Sequence, residues 1–373
     1  MPLSKIQDIG NQVIPNLSAN RNILINGAMN VARRYASKAS ISSGDFFVVD
    51  RFGGYINAAG TWTVSQSTDV PTGQGFGNSA KFDCTTANGS LASGAELMFR
   101  QRIEGQNLQS LLKGTSSAKK TTVQFWVKSN KTGTYICELF DNDNSGRHIG
   151  KSYTISSANT WEHKTITFEG DTTGALGNDN GTGLTMSWWL AAGSGMSSGT
   201  LQTSWGARTD ANRAVGNVNL ADNTANEWYI TGVQFEVGET ATEFEHEPYE
   251  ITLRKCERYF HIVHQDYGGG SSGYTALGIG SHFTGSRPIA NYYFPTPMRA
   301  VPTMVVDFGS SGNQGFISYH NSNTDYVGTT ATLHFPSVYG CMVEMADGNG
   351  TGGHALQLVT QYDDQSFSFN AEL

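Results

Sequence analysis

Charge is scarce in this sequence of 373 residues. Only 15% of positions are Asp, Glu, Lys or Arg, well under the roughly 25% of ordinary soluble domains. What charge there is leans acidic, 24 Lys and Arg against 32 Asp and Glu for a net of −8. No positive field is therefore available to draw in a phosphate backbone, and nucleic acid is excluded as a partner. No apolar run reaches the 18 or so residues of a membrane span, so no membrane insertion is expected. The opening MPLSKIQDIG lacks the basic, apolar, small-residue order of a signal peptide, which predicts a chain made and kept in the cytoplasm until assembly. Four cysteines, Cys84, Cys137, Cys256 and Cys341, stand far apart without a CxxC pair, which argues against a zinc site or a disulfide frame and for buried reduced thiols. No phosphate loop, dinucleotide fingerprint or internal repeat is present.

What is present is glycine (44 residues), with abundant Ser, Thr and Asn and 11% aromatics, the composition of β-structure joined by polar turns. At about 100–200 residues per domain the length predicts two or three units. Residues 1–22, with Pro2, Gly10 and Pro15 among a thin apolar scatter (Ile6, Ile9, Val13, Ile14, Leu17), read as an arm that needs a partner to order it. From 23 to 248 the signal is period two. Val123, Phe125 and Val127 alternate with Gln124, Trp126 and Lys128; Ile166 and Phe168 with Thr165, Thr167 and Glu169; Val233, Phe235 and Val237 with Gln234 and Glu236. Each is a strand with one buried face, and Asp/Asn/Gly clusters at 141–146 and 178–183 supply the turns. Many short strands at this spacing predict a β-sandwich.

A helix is predicted next. In ITLRKCERYFHIVH (251–264), Leu253, Cys256, Phe260 and Val263 form a stripe at i, i+3, i+7 and i+10, suited to packing domains or subunits together. This linking helix is drawn at 249–266, and 267–373 then forms a second β-unit, with alternation at Ala331, Leu333 and Phe335 and at Phe367, Phe369 and Ala371. No lysine follows Lys255, and beyond it three arginines face nine acids, leaving −6, while six of the nine histidines lie there.

Catalytic chemistry finds little support. G-x-S-x-G occurs at 195–199 and 269–273, in Gly/Ser loops rather than at a strand-to-helix elbow, and the acid pairs Glu243/Glu245 and Asp363/Asp364 read as solvated surface. Asp141, Asp143, Ser145 and Gly146 imitate the start of an EF-hand loop, but its twelfth position is Ser152, so the segment is a hairpin turn. His261 and His264, i and i+3 on the predicted helix, could meet a transition metal on a symmetry axis; ordinary packing is the plainer reading. No metal ligand set is assigned. All seven Trp (62, 126, 161, 188, 189, 205, 228) fall in the sandwich, where each is core, subunit interface or a flat face for a sugar ring, the first two being the plainer reading.

Four stretches resemble tailed-bacteriophage structural proteins of the tail-fibre or receptor-binding type. NILINGAMNVARR (22–34) with VVDRF (48–52) is similar to the opening of that family's carbohydrate-binding-module-like jelly roll. VQFWVKSNKTGTY (123–135) and ANTWEHKTITFEGDTTG (158–174) resemble its middle. YITGVQFEVGETATEFEHEPYEITLRKCERYF (229–260) is similar to its last sandwich strand running into a helix, and YFPTPMRAVPTM (293–304) with FNAEL (369–373) to its trimerising C-terminal β-domain. The resemblance implies an all-β, homotrimeric virion component: an N-terminal arm docked to other virion proteins, a jelly-roll sandwich, a short helix and a C-terminal tip. It implies non-catalytic adhesion to a host surface glycan or protein, with a structural head fibre or decoration protein, and a glycan-degrading tailspike, as alternatives. It leaves room for a structural calcium ion without naming ligands. Exposed loops after the helix (Tyr267, Tyr274, His282) and at Tyr319, His320, Asn321, Asn323 and Tyr326, lacking strand pattern, are the candidate receptor contacts, with the subunit interface of the trimer as the equal alternative for the same tyrosines.

Overall fold

The computed structural model describes residues 21–264, 275–284, 287–307, 316–320, 325–328, 331–345, 352–360 and 366–373. Two six-stranded antiparallel sheets form the first unit. One runs, in spatial order, β1 (Ser37–Ile41), β4 (Thr61–Ser67), β5 (Ser79–Thr86), β12 (Glu227–Val237), β7 (Thr121–Ser129) and β10 (Glu162–Phe168). The other runs β2 (Gly44–Val49), β3 (Phe52–Asn57), β6 (Glu96–Glu104), β11 (Thr182–Ala192), β8 (Gly133–Asp141) and β9 (His148–Ile155). The chain crosses repeatedly between the sheets, with only β2–β3, β4–β5 and β8–β9 staying in one sheet as hairpins, the winding of a jelly roll. The expected all-β, jelly-roll fold is what the chain adopts.

Alternation builds the core. The inward set of β7, Val123, Phe125 and Val127, is fully buried, as are Phe82 of β5, Phe99 of β6, Trp188 of β11 and Trp228 of β12. Their rings close the space between the sheets, Phe99 lying 5.6 Å from both Trp188 and Trp228 and 5.9 Å from Phe82. Four of the seven Trp (62, 188, 189, 228) are fully buried, while Trp126, Trp161 and Trp205 keep part of their surface in solvent. All four cysteines are free and buried.

The predicted helix is half right. It runs Tyr249–Glu257, and the chain then turns into β13 (Phe260–His264). Every residue of β13 pairs with β22 (Ser366–Asn370), so Phe260 and Val263 belong to a sheet and only Leu253 and Cys256 to a helix. The β-branched pair Ile262–Val263 finds in β22 a partner more than a hundred residues away, and that tertiary pairing overrides the local helical period. The helical spacing that would align His261 with His264 for a metal is lost with it. His261 instead meets the Tyr292 hydroxyl at 2.5 Å.

β13, β22 and β16 (Thr303–Asp307) make a three-stranded sheet. It packs on a seven-stranded one ordered β18 (Asp325–Gly328), β17 (Phe316–His320), β21 (Ala355–Thr360), β14 (Thr275–Thr284), β15 (Arg287–Tyr293), β20 (Gly340–Met345) and β19 (Ala331–His334). Their shared core holds Ala290, Val343, Met345, Leu356, Leu358, Phe367 and Phe369. Three residues expected in one receptor loop lie in strands: Tyr319 and His320 in β17 and Tyr326 in β18, the two strands paired antiparallel. His282 is in β14 and 1% exposed, a core position. Tyr267, Tyr274, Asn321, Asn323 and the arm residues Ile6, Ile9, Val13, Ile14 and Leu17 lie outside the described residues.

A polar seam joins the units. Glu372 accepts from Arg34 at 3.1 Å and from Arg51, and Arg299 donates to the carbonyls of Ala371 and Glu372 at 2.7 and 2.9 Å. Arg258 is bidentate to Glu104 at 2.9 and 2.8 Å, and the Tyr259 hydroxyl donates to the same carboxylate. Arg51, in the Asp50–Arg51 turn between β2 and β3, sits at φ +69° with its guanidinium 3.4 Å from the centre of the Tyr259 ring. An arginine in the left-handed region is strained, and here the seam holds it there.

Candidate functional site

The outer face of the β1–β10 sheet carries the side chains that alternation turns away from the core. Register puts Lys81, Tyr229 and Lys128 in one row across β5, β12 and β7, and Thr231, Trp126 and His163 in the next row across β12, β7 and β10. Between Thr231 and Gln234 the β12 register shifts at Gly232, whose φ is +62° and whose missing Cβ leaves room for the Phe76 ring at 2.6 Å. That bulge lets Val233 and Phe235 stay inward while the rows keep their register.

The first row is tied by charge. Lys81 Nζ meets Glu227 at 2.6 Å, and the Tyr229 hydroxyl donates to the other oxygen of that carboxylate at 2.7 Å. Lys128 pairs with Asp69, its ammonium 4.4 Å from the Tyr229 ring centre and 5.6 Å from that of Trp161. Trp161 stands edge-on to Tyr229 at 6.2 Å and donates its indole N–H to Asp69 at 3.0 Å. In the second row the Trp126 and His163 rings lie 5.1 Å apart, and His163 Nε2 reaches Gln124 Oε1 at 3.1 Å. Tyr229 is the buried floor; Trp126 and Trp161 are half-exposed and His163 is exposed.

Protonation at this face follows from its contacts. Partial burial would raise the Asp69 carboxyl, but bonds from Lys128 and Trp161 outweigh it and hold it below the usual range. Glu227 is likewise lowered, its burial outweighed by Lys81 and the Tyr229 hydroxyl. Burial, then the bond to Glu227, pushes Tyr229 up to about 12. Burial and then Lys164 lower His163. At neutral pH the face thus presents two carboxylates, two ammonium groups, a phenol and a neutral imidazole around half-exposed indoles. Ring faces suit the C–H face of a sugar, and paired charges offer donors and acceptors to its hydroxyls.

Other sequence candidates are absorbed by structure. The Asp141–Gly146 segment is the predicted turn between β8 and β9, and Asp141 is buried against the ammonium of Lys113. Among the described residues no group of three or more His, Cys, Asp or Glu is placed to hold a metal ion. Ser197, centre of the first G-x-S-x-G, donates to the Gly193 carbonyl at 2.9 Å inside a short helical turn; the second motif lies outside the described residues. Glu245 accepts from the Asn22 amide at 3.0 Å. A cleft of about 630 Å³ opens between the sandwich and the helix, lined by Arg21, Asn107, Ser110, Glu236, Lys255 and Arg258 among others. Lys255 and Arg258 there are paired with Glu247 and Glu104.

No family model matches the chain, and no curated protein sequence matches it significantly. Solved structures do. The enzymatically active domain of tailspike protein 4 of bacteriophage CBA120 is similar over 58% of this chain and 22% of its own length, at 14% identity and TM-score 0.31. TmCBM61, solved with β-1,4-galactotriose, is similar over 59% of this chain and 99% of its own, at 11% identity and TM-score 0.28. The family 11 carbohydrate-binding module of a Clostridium thermocellum cellulosomal cellulase is similar over 54% and 99%, at 13% identity and TM-score 0.27. This chain thus spans about a fifth of the tailspike domain. At scores of this size nothing about ligand or activity follows, and the site stands on its own geometry.

Of this site the sequence analysis had Trp126 and Trp161 as two of seven equivalent Trp, and Lys128 only as the outward partner in an alternation. Asp69, Lys81, Glu227, Tyr229 and His163 were missed. The period-two pattern at 123–128 already turned Trp126 and Lys128 away from the core; the strand order that sets Tyr229 and Trp161 beside them carries no local signal.

Proposed function

We propose that this chain is a non-catalytic adhesion component of a bacteriophage fibre, holding a host-surface glycan against the outer face of the β1–β10 sheet. The observation that carries the glycan part is the half-exposed Trp161, stacked edge-on to Tyr229 and fixed by Asp69 and Lys128, beside Trp126 and His163. The lowered carboxyls of Asp69 and Glu227 support a binding rather than a cleaving role, because a glycosidase needs one carboxyl raised so that it can donate a proton. The fibre context rests on the sequence resemblance of residues 22–34, 48–52, 123–135, 158–174, 229–260, 293–304 and 369–373; on that reading the chain is a virion component, with the phage's other structural proteins and the host envelope as partners.

The test is binding of the purified chain to host polysaccharide, with Trp161→Ala and Trp126→Ala beside it. Each truncation removes one half-exposed ring and leaves the fully buried Trp in place, so each is expected to weaken binding about tenfold, the equivalent of roughly 1.4 kcal/mol. Unchanged affinity in both, or release of sugar fragments by the unmutated chain, overturns the reading.

A further inference from the structure

Charge on the outer face of the β1–β10 sheet is enclosed as well as paired. The Lys128 side chain is 12% exposed, its ammonium closed in by Asp69 and by the rings of Tyr229 and Trp161, 4.4 and 5.6 Å from their centres. Lys81, on the opposite flank of Tyr229, meets Glu227 at 2.6 Å and lies 5.5 Å from the same ring centre. Asp83 stands in the row beyond, opposite Glu227 and Thr63, and its charge also acts on Lys81. Two ammonium groups, Lys81 and Lys128, thus meet three carboxylates, Asp69, Asp83 and Glu227, and neither ammonium is free to turn to a ligand. His163, lowered as described above, adds no cation at neutral pH.

The flat apolar surface comes in two steps. His163 is the register partner of Trp126, and Trp161 lies two residues before it. The two half-exposed indoles therefore belong to successive rows, about 7 Å apart along the strands. One sugar ring covers one indole with its C–H face. Both indoles are covered only by units linked to one another.

We propose that the ligand of this face is an uncharged oligosaccharide, a run of at least two linked neutral sugar units, and that Asp83, with Asp69 and Glu227, rejects acidic glycans. The inference rests on the glycan reading above and names the class of glycan. A uronate or sulfated unit laid on the indoles brings its charge to a face with more carboxylates than ammonium groups, where no cation waits unpaired. The chain as a whole, at −8, also repels an acidic polymer before contact. Sugar hydroxyls meet no such obstacle. A carboxylate already held in an ion pair keeps acceptor positions on its two oxygens, so a hydroxyl donates to it without breaking the pair. Discrimination here comes from the repulsive element, the surplus aspartate, as much as from the rings that attract.

The experiment takes the purified envelope polysaccharide of the host, separated by ion exchange into an uncharged and an acidic pool. Binding of the full chain to each is measured at about 0.05 M and about 0.5 M salt, beside Trp161→Ala and Asp83→Lys. The unmutated chain is expected to bind the uncharged pool, to lose affinity in Trp161→Ala, and to change less than twofold between the two salt concentrations. Monosaccharides released from that pool by acid hydrolysis are expected to compete at least tenfold more weakly than the intact chains, since each reaches one indole. Asp83→Lys is expected to admit the acidic pool at low salt and to lose about tenfold in affinity for it at high salt. Trp161-dependent binding that favours the acidic pool or weakens steeply with salt overturns this inference and leaves the adhesion reading standing. Monosaccharides that compete as well as the polymer, or an Asp83→Lys chain that still refuses the acidic pool, overturn it too. Binding of neither pool overturns the adhesion reading and this inference with it.

Discussion

At Lys113 a single side chain does what a cation does elsewhere. Its ammonium pairs with Asp141 and lies 3.1 Å from Asp171 Oδ2, 3.0 Å from the Thr173 carbonyl and 2.8 Å from that of Gly174. All three charged side chains are buried, exposing 3%, 0% and 3%. Arg147 clamps Asp171 from the other side, both bonds 2.9 Å. Removing the ammonium leaves Asp141 buried without its partner, the situation that costs about 3–5 kcal/mol. Lys113→Ala is therefore expected to lower unfolding free energy by that amount in a denaturant titration. The cage it opens is all oxygen, two carboxylates and two carbonyls, the donor set calcium prefers. Millimolar calcium is expected to restore part of the loss in the variant and to leave the unmutated chain unchanged. A variant within about 1 kcal/mol of the parent would show that the pair contributes little.

Elements were legible wherever burial follows a local period. β7 and β10 were read from Val123, Phe125, Val127, Ile166 and Phe168 because a half-buried strand must alternate, and all five are buried. The helix was legible as far as Glu257. Past it, the apolar stripe through Phe260 and Val263 fits a helix as well as a strand, and the deciding partner, β22, is distant in sequence. Distance also hid the candidate site, since Asp69 and Trp161 are 92 residues apart. The bulge in β12 was invisible for another reason. A glycine between Thr231 and Val233 reads as one more small residue until its φ of +62° and the Phe76 ring 2.6 Å from its absent Cβ are known. Gly232→Ala should cost about 2 kcal/mol or more, from left-handed backbone strain plus the displaced ring. Thermal unfolding reads this directly, and a melting point unchanged from the parent would mean that the bulge relaxes freely.

The two units are held together by charge, so the molecule's stability should report on the pH of the seam. Asp50 is 1% exposed, and one of its carboxylate oxygens has no hydrogen-bond partner. Burial raises its pKa to about 6, Glu372 adds to that, and Arg34 with the backbone amides of Arg33 and Arg34 offsets it only in part. The buried Cys256 thiol feels the charge of Asp50 together with those of Arg51, Glu372 and Glu257. A carboxyl raised in the folded state binds its proton more readily there than in the unfolded chain. Its contribution to stability is therefore greatest below the ordinary 3.8, declines as pH rises through 6 and is gone by neutrality. The full span is roughly 3 kcal/mol. Between pH 7 and pH 5, then, Asp50 should strengthen the fold as acid is added. His148 and His163 act the other way in that window, because burial lowers both and the unfolded chain takes up their protons first. Asp69, Asp171 and Glu227 are lowered, so their stabilisation is lost only at more acid pH. The Asp50 contribution is isolated by a difference: unfolding free energies at pH 5 and pH 7 for the parent and for Asp50→Asn, whose amide keeps an oxygen for the Arg33 N–H and cannot titrate. The parent should gain about 1–2 kcal/mol more than the variant on going from pH 7 to pH 5. Equal changes in the two proteins would mean that the seam admits enough water to ionise Asp50 freely, and that the units part more easily than their arginine contacts suggest.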